Sequence, residues 1–325
     1  MSASSSFLMF FSIPLAIFHF WVTPYKRGFY CDDETIRYPY RDSTVSRQML
    51  IVIGLLIPTF LICVTEVFRT MAWERKCESQ FKTYHLKHYS VHRLVVRLYC
   101  FIGYFFLGVC FNQLMVDVGK YTIGRQRPHF MDVCRPNIGY KTCNNPDEYI
   151  TNFTCTGPNP KLIHEAQLSF YSGHSAFSFY AAWFTSVGLF LFFPLVLLIL
   201  FGRNQPKATN LVRTSIVLTT KVFDFCFTNC PTEIAPFQLY LQARLYRPLF
   251  SRLLLPVIQF SLFFGASYVA LTRVSDYKHH WSDVLVGALV GSTIGIFVAM
   301  FVAEVFKRRE IPACVVGSNE FGLIR

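Results

Sequence analysis

The chain has 325 residues, of which 53% are hydrophobic and 15% charged, and 35 are phenylalanine. A water-soluble domain of that size needs far more charge to cover its surface, so apolar helices bundled in a membrane are expected instead. The net charge of +12 is spread between the apolar stretches without a sustained basic run, which sets aside nucleic acid as a partner.

Apolar blocks fall at about 7–22, 49–67, 98–116, 175–200, 253–271 and 284–306. Most approach the ~20 residues a helix needs to cross a hydrocarbon core of ~30 Å. The predicted fold is therefore all-α and polytopic, a bundle of six transmembrane helices over residues 7–306, with a cytosolic tail at 307–325. The first block is short and carries Pro14 and His19. Lacking a basic flank and a small-x-small cleavage site, it reads as a retained span rather than a signal peptide. Arg69, Arg75, Lys76, Lys82, Lys87, Arg93 and Arg97 follow the second block, and Lys307, Arg308 and Arg309 follow the sixth. The positive-inside rule puts both groups in the cytosol, although the first and third outer loops also carry positive charge. The sequon Asn152-Phe153-Thr154 falls in the loop after the third block, on the predicted outer side, which makes Asn152 a candidate glycosylation site.

None of the 11 cysteines has zinc-type spacing. Cys31, Cys134, Cys143 and Cys155 lie in polar loops where disulfides are expected if those loops face an oxidising compartment, with the pairing open. Cys63, Cys100 and Cys110 lie in apolar blocks and read as small hydrophobes. Gly287, Gly291 and Gly295 form a small-residue ridge in the last block, read as helix packing without chemistry. His85, His88 and His92 have a spacing compatible with one helical face; a solvated basic loop is the preferred reading over metal binding. Glu66, near a helix end, needs no proton-relay role.

Three polar segments are too specific for ordinary connections. They are 120–129, with Lys120, Arg125, Arg127, Pro128 and His129; 169–175, with Ser169, Tyr171, Ser172, Gly173 and His174; and 272–283, with Arg273, Asp276, Lys278, His279, His280 and Asp283. With six spans, all three reach the same outer face. Lys120, Arg127 and Arg273 supply positive charge, and the guanidiniums can grip phosphate oxygens in pairs. Ser172 and the amides near Gly173 open a helix whose N-terminus favours an anion. His279 and Asp283, four residues apart, are expected on one helical face, with the carboxylate fixing the tautomer of a nucleophilic imidazole. His280, three residues before Asp283, reaches it equally well by spacing. His174, protonated, can give a proton to a departing alkoxide. Together these groups meet the needs of phosphoryl transfer.

The three segments resemble the signature of the type 2 phosphatidic acid phosphatases, K-x6-RP, PSGH and SR-x5-H-x3-D. Lys120, Arg127 and Pro128 match the first, Ser172, Gly173 and His174 the second, and Arg273, His279 and Asp283 the third. Tyr171 stands for the usual proline and Thr272 for the usual serine. The likeness extends over about 7–187 and 239–306, including 27–33 and 38–40 in the first outer loop. It implies a bundle of the phosphatase and haloperoxidase kind, with His279 as nucleophile through a phosphohistidine. It also implies no metal and no cofactor, and phosphatidate, lysophosphatidate, sphingosine 1-phosphate and ceramide 1-phosphate as substrates. A plasma-membrane protein is expected, with the endoplasmic reticulum as the alternative and a homo-oligomer left open. Residues 187–238 break the likeness, either as a genuine cytosolic insertion or, as we prefer, as translated intron sequence. The rivals are an anionic-lipid transporter, which would place charges inside several spans, and a non-hydrolysing lipid-phosphate binder, which would not need both His174 and His279.

Overall fold

A computed structural model describes residues 13–14, 16–17, 21–72, 84–86, 89–138, 145, 147–185 and 254–303. Among these the protein is mainly helical. Helix α1 spans Arg47–Ala72 and α2 spans Arg93–Ile123. The short helices α3 (Phe130–Cys134) and α4 (Pro160–Ala166) follow, and α5 begins at Gly173 and is described to Thr185. Helix α6 spans Leu254–Ser275, and α7 spans Trp281–Phe297, continuing as a π-helical turn over Val298–Val302.

Among the described residues, four helical stretches are long and apolar enough to cross a membrane: Arg47–Val67, Arg93–Ile123, Val257–Ser275 and Trp281–Val302. They match the second, third, fifth and sixth predicted blocks. Most of the first block, the end of the fourth, the segment 187–238 and the tail 307–325 lie outside the described residues. Helix α2 runs well beyond its apolar block. Its last turn carries Lys120 and is closed by Gly124 in the left-handed region, at φ 57°. A Cβ at Gly124 would sit 2.0 Å from the Tyr25 carbonyl oxygen, so glycine is needed there for space as well as for conformation.

Helix α5 is the hub of the bundle, packed against α1, α2, α6 and α7. Its own Phe179, Tyr180 and Phe184 pack with Phe101 and Phe105 of α2, and the Tyr180 hydroxyl donates to the Phe105 carbonyl at 2.7 Å. The glycine ridge of α7 lies against α5. A Cβ would meet the Ser172 carbonyl oxygen at 2.6 Å from Gly287, the Ala176 carbonyl oxygen at 2.0 Å from Gly291, and the Trp183 Cβ at 2.9 Å from Gly295. The ridge therefore does more than pack two helices, because its backbone contact sets the height of the turn that carries Ser172 and His174.

The outer loops form a small layer of their own. Strand β1 (Phe29–Tyr30) pairs antiparallel with the later strand Tyr149–Ile150, with Phe29 opposite Ile150. Phe29, Ile36, Phe130, Cys134, Ile150 and Ala166 close a core beneath it. Cys134 is disulfide-bonded to Cys155, and Cys31 is also in a disulfide. At the opposite end of α1 and α2, where the sequence reads as a solvated basic loop, two short strands pair. Tyr84–Leu86 and Tyr89–Val91 pair antiparallel, with His85 opposite Ser90. His92 instead caps α2, its Nδ1 accepting the Leu94 amide at 3.2 Å, and His88 lies outside the described residues. β-Strand pairing sends neighbouring side chains to alternate sides, so the helical spacing argument does not apply. Glu66, fully buried, forms an ion pair with Arg97 at 3.7 Å, joining α1 to α2.

Candidate functional site

The three polar segments converge because the end of α2, the start of α5, the end of α6 and the start of α7 meet at one end of the bundle. Direct bonds join them. The Ser172 amide donates to the Asp283 carbonyl at 3.0 Å, and the Ser175 hydroxyl to the Val284 carbonyl at 2.8 Å. The Ser169 amide donates to the Arg125 carbonyl at 2.8 Å, and the Arg127 amide to the Ala166 carbonyl at 2.8 Å. At the end of α6, the Arg273 carbonyl accepts the amides of both Lys278 and His279 at 3.1 Å. That double acceptance folds the loop back and brings His279 beside the Arg273 side chain.

Lys120, Arg127 and Arg273 all act electrostatically on both His174 and His279, and the two imidazoles also sense each other. Gly173 packs close to α2, since a Cβ there would lie 3.2 Å from Val116 Cγ1, and it lies near Lys120, whose Nζ would be 3.8 Å from that Cβ. The His174 ring is bonded to the Val45 carbonyl, while its Nε2 is buried without a hydrogen-bond partner. Arg127 Nε and Arg273 Nε and Nη1 are likewise buried and unpaired among the described residues. Buried polar groups are ordinarily satisfied, and buried cationic N–H groups left without partners are costly. Several such groups around two histidines mark a place prepared for an anion. Burial first, and then Arg127, Arg273, Lys120 and His174, hold the His279 imidazole well below its usual range, so it is neutral.

Two sequence readings change here. His279 and Asp283 do not share a helical face, because α7 begins only at Trp281 and His280 is its N-cap. The Asp283 carboxylate turns back to the His280 amide (Oδ2, 3.2 Å) and to His280 Nδ1 (3.2 Å). Its other partners are Arg125 Nη1 on Oδ1 at 2.6 Å and the Ser169 hydroxyl on Oδ2 at 2.5 Å. Second, the Ser172 amide is occupied by Asp283, and the Ser172 hydroxyl accepts the Ser175 amide at 3.4 Å. Ser172 thus serves as the cap of α5.

Sequence reasoning passed over a strap formed by residues 38–45. Tyr38 stacks on Tyr277 at 4.6 Å, and Lys278 Nζ lies 3.6 Å from the centre of the Tyr40 ring. Both the amide and the hydroxyl of Thr44 donate to the Asp276 carboxylate at 2.8 Å. The likeness over residues 38–40 pointed at the loop, but its partners, among them Pro128, Asp132, Asp276 and Tyr277, all lie far along the chain. Burial, with Arg127 and Arg273 nearby, pulls the Lys278 ammonium down to about 8. A cavity of about 610 Å³ lies beyond Arg125 and His280 and is lined by neither His174 nor His279, so the reacting phosphate is not assigned to it.

His129 completes the wall. It is 2% exposed, and Nδ1 donates to the Tyr277 carbonyl at 2.7 Å. Burial lowers it to about 4, against the raising effect of that bond and with help from Arg127, Lys278 and Arg273. The unfolded chain takes up this proton near pH 6.5 and the folded one only near pH 4, so His129 stabilises the fold above 6.5 and the contribution is lost as pH falls. The span is worth on the order of 3 kcal/mol. Thermal midpoints measured in detergent should fall between pH 6.5 and 4, and the fall should be shallower for His129→Gln.

Known proteins resemble this chain over most of its length. Residues 101–307 match the PAP2 superfamily. Phospholipid phosphatase 1 of Rattus norvegicus is 34% identical over 288 residues, covering 89% of this chain and 79% of that protein. Phospholipid phosphatase 2 of Homo sapiens is 33% identical over 309 residues, 95% of this chain and 84% of that protein. A Drosophila melanogaster relative is 34% identical over 304 residues, and the chain spans 66% of its length. No solved structure matches the chain. The chain belongs to the PAP2 superfamily and is a membrane-embedded phosphatase within it.

Proposed function

We propose that the protein hydrolyses lipid phosphate monoesters, of the class of phosphatidate, lysophosphatidate, sphingosine 1-phosphate and ceramide 1-phosphate, through a phosphohistidine on His279. The observation that carries this reading is the group of unpaired, buried N–H donors around two imidazoles at one end of an apolar bundle. The phosphate dianion takes those donors, with Lys120, Arg127 and Arg273 opposing its charge and the Gly173 and His174 amides completing the cradle. The names of the relatives favour a phospholipid substrate.

In the first step His279 Nε2 gives its electron pair to phosphorus, and the phosphorus–oxygen ester bond breaks. The leaving alkoxide takes a proton from His174, whose proton affinity rises once a dianion lies against it. In the second step neutral His174 takes a proton from water as the water oxygen attacks phosphorus. The phosphorus–nitrogen bond breaks, and inorganic phosphate leaves. No step requires a metal.

Six spans would place this centre on the outer face, at the plasma membrane by preference. The disulfides at Cys31 and Cys134–Cys155 and the exposed Asn152 sequon fit an oxidising, glycosylating compartment. The test is to mix purified protein in micelles with radiolabelled lysophosphatidate, with chelator present, and quench in alkali within milliseconds. A labelled protein stable to alkali and labile to acid is expected, with turnover unaffected by the chelator. No labelled protein, or turnover abolished by chelation, would refute the mechanism.

A further inference from the structure

Asp283 has no direct bond to His279, yet the neutral nucleophile needs its proton on Nδ1 so that Nε2 is free to attack. The geometry points to Ser169 as the residue that sets this tautomer: a positioning residue that links Asp283 to His279. This inference rests on the phosphohistidine reading and names a residue that the motif comparison left without a role.

Ser169 is fully buried. Its hydroxyl lies 2.5 Å from Asp283 Oδ2 and 3.5 Å from His279 Nδ1. Asp283, ionised, only accepts, so the hydroxyl proton goes to the carboxylate. The Ser169 oxygen is then turned with its lone pairs toward the ring and accepts from Nδ1–H. At 3.5 Å that second bond is long, as catalytic hydrogen bonds often are before substrate is bound. Among the described residues the His279 ring has no other hydrogen-bond partner.

The rest of the arrangement holds this link in place. Arg125 grips both ends, with its carbonyl accepting the Ser169 amide at 2.8 Å and its guanidinium bonding Asp283 Oδ1 at 2.6 Å and the Ser282 hydroxyl at 2.8 Å. His280 fills the remaining approach to Oδ2. The carboxylate's own hydrogen bonds are thus made away from His279, and among the described residues Ser169 is its hydrogen-bonded link to the ring. When Nε2 bonds to phosphorus the imidazole becomes cationic, and the Ser169 dipole, aligned by Asp283, favours that charge. The link then strengthens in the transition state more than in the ground state, which raises kcat rather than lowering KM.

The experiment compares the wild type with Ser169→Ala, Asp283→Asn and the double variant. It measures kcat, KM and the rate of alkali-stable phosphoprotein formation, with thermal midpoints as a check on folding. For Ser169→Ala, kcat and the rate of phosphoprotein formation should fall together by about 10- to 100-fold, the usual range for a lost partner of a functional histidine. KM should be nearly unchanged. Because Ser169 acts through Asp283, the double variant should be within about threefold of the slower single variant. Ser169→Thr, which keeps the hydroxyl, should recover most of the rate. A Ser169→Ala rate within about twofold of wild type overturns the role, as do fully multiplicative losses in the double variant. If the wild type itself forms no phosphoprotein, the parent mechanism falls and this role falls with it. A wild-type phosphoprotein with an unaffected Ser169→Ala variant removes only the role of Ser169.

Discussion

His279→Gln is expected to lower phosphate release by on the order of 10⁴- to 10⁶-fold, the range seen when the nucleophile of a coupled catalytic group is removed. Glutamine is close in size and can still bond Ser169, so the buried wall around position 279 is kept while the attacking lone pair is lost. Lys120, Arg127 and Arg273 remain and still bind phosphate, so inorganic phosphate should continue to raise the thermal midpoint. His174→Gln should behave differently, because its loss depends on the leaving group. With a lipid alkoxide the missing proton should cost about 10²- to 10⁴-fold. With p-nitrophenyl phosphate, whose leaving group departs without a proton, the first step should be nearly normal. His280 separates the two imidazoles that spacing could not. Its Nδ1 is engaged with Asp283, so His280→Gln should retain far more activity than His279→Gln. A His279→Gln enzyme keeping more than about one per cent of the rate would place the nucleophile elsewhere.

The spans and the gathering of the motifs were legible because each depends on short-range signals. An apolar block near the required length can be read from composition, as 49–67 within Arg47–Ala72 shows. A charge at a block end, such as Lys120 or Arg273, is placed by where the helix leaves the apolar layer. What escaped depends on partners far apart in the chain. Ser169 and Arg125 stood inside the quoted segments, but their partner Asp283 is more than a hundred residues away. The Cys134–Cys155 pairing could not be chosen among four loop cysteines, and Glu66 gave no sign of Arg97. The one-face reading of His279 and Asp283 failed for a local reason. An i, i+4 argument assumes helix throughout, whereas an N-terminal carboxylate at the third position prefers the cap's own amide. The glycine ridge was read as packing alone, yet Gly287 and Gly291 touch the carbonyls of Ser172 and Ala176, on the turn that presents His174.

Arg273→Met should abolish detectable turnover and at the same time make the substrate-free protein more stable. The two effects have one cause. Arg273 is 3% exposed, and its Nε and Nη1 have no partner among the described residues, so its side chain is a desolvated cation. Removing a buried charge that lacks a partner relieves that cost, whereas a buried pair broken on one side creates it. Methionine fills similar space, and the turn is kept because the Lys278 and His279 amides bond the main-chain carbonyl of residue 273 rather than its side chain. The thermal midpoint without ligand should therefore rise by several degrees, corresponding to about 1–3 kcal/mol. With inorganic phosphate present the order should reverse, because the wild type gains stability from a dianion that the variant cannot grip. Arg273→Lys separates charge from geometry. It keeps the cation but loses the planar fork, so kcat/KM should fall by about 10²- to 10³-fold, comparable to losing one donor to a developing anion. Thermal midpoints with and without phosphate, set beside turnover on lysophosphatidate, decide the matter. If Arg273→Met is less stable than wild type without ligand, then Arg273 supports the fold and is not held in reserve for phosphate.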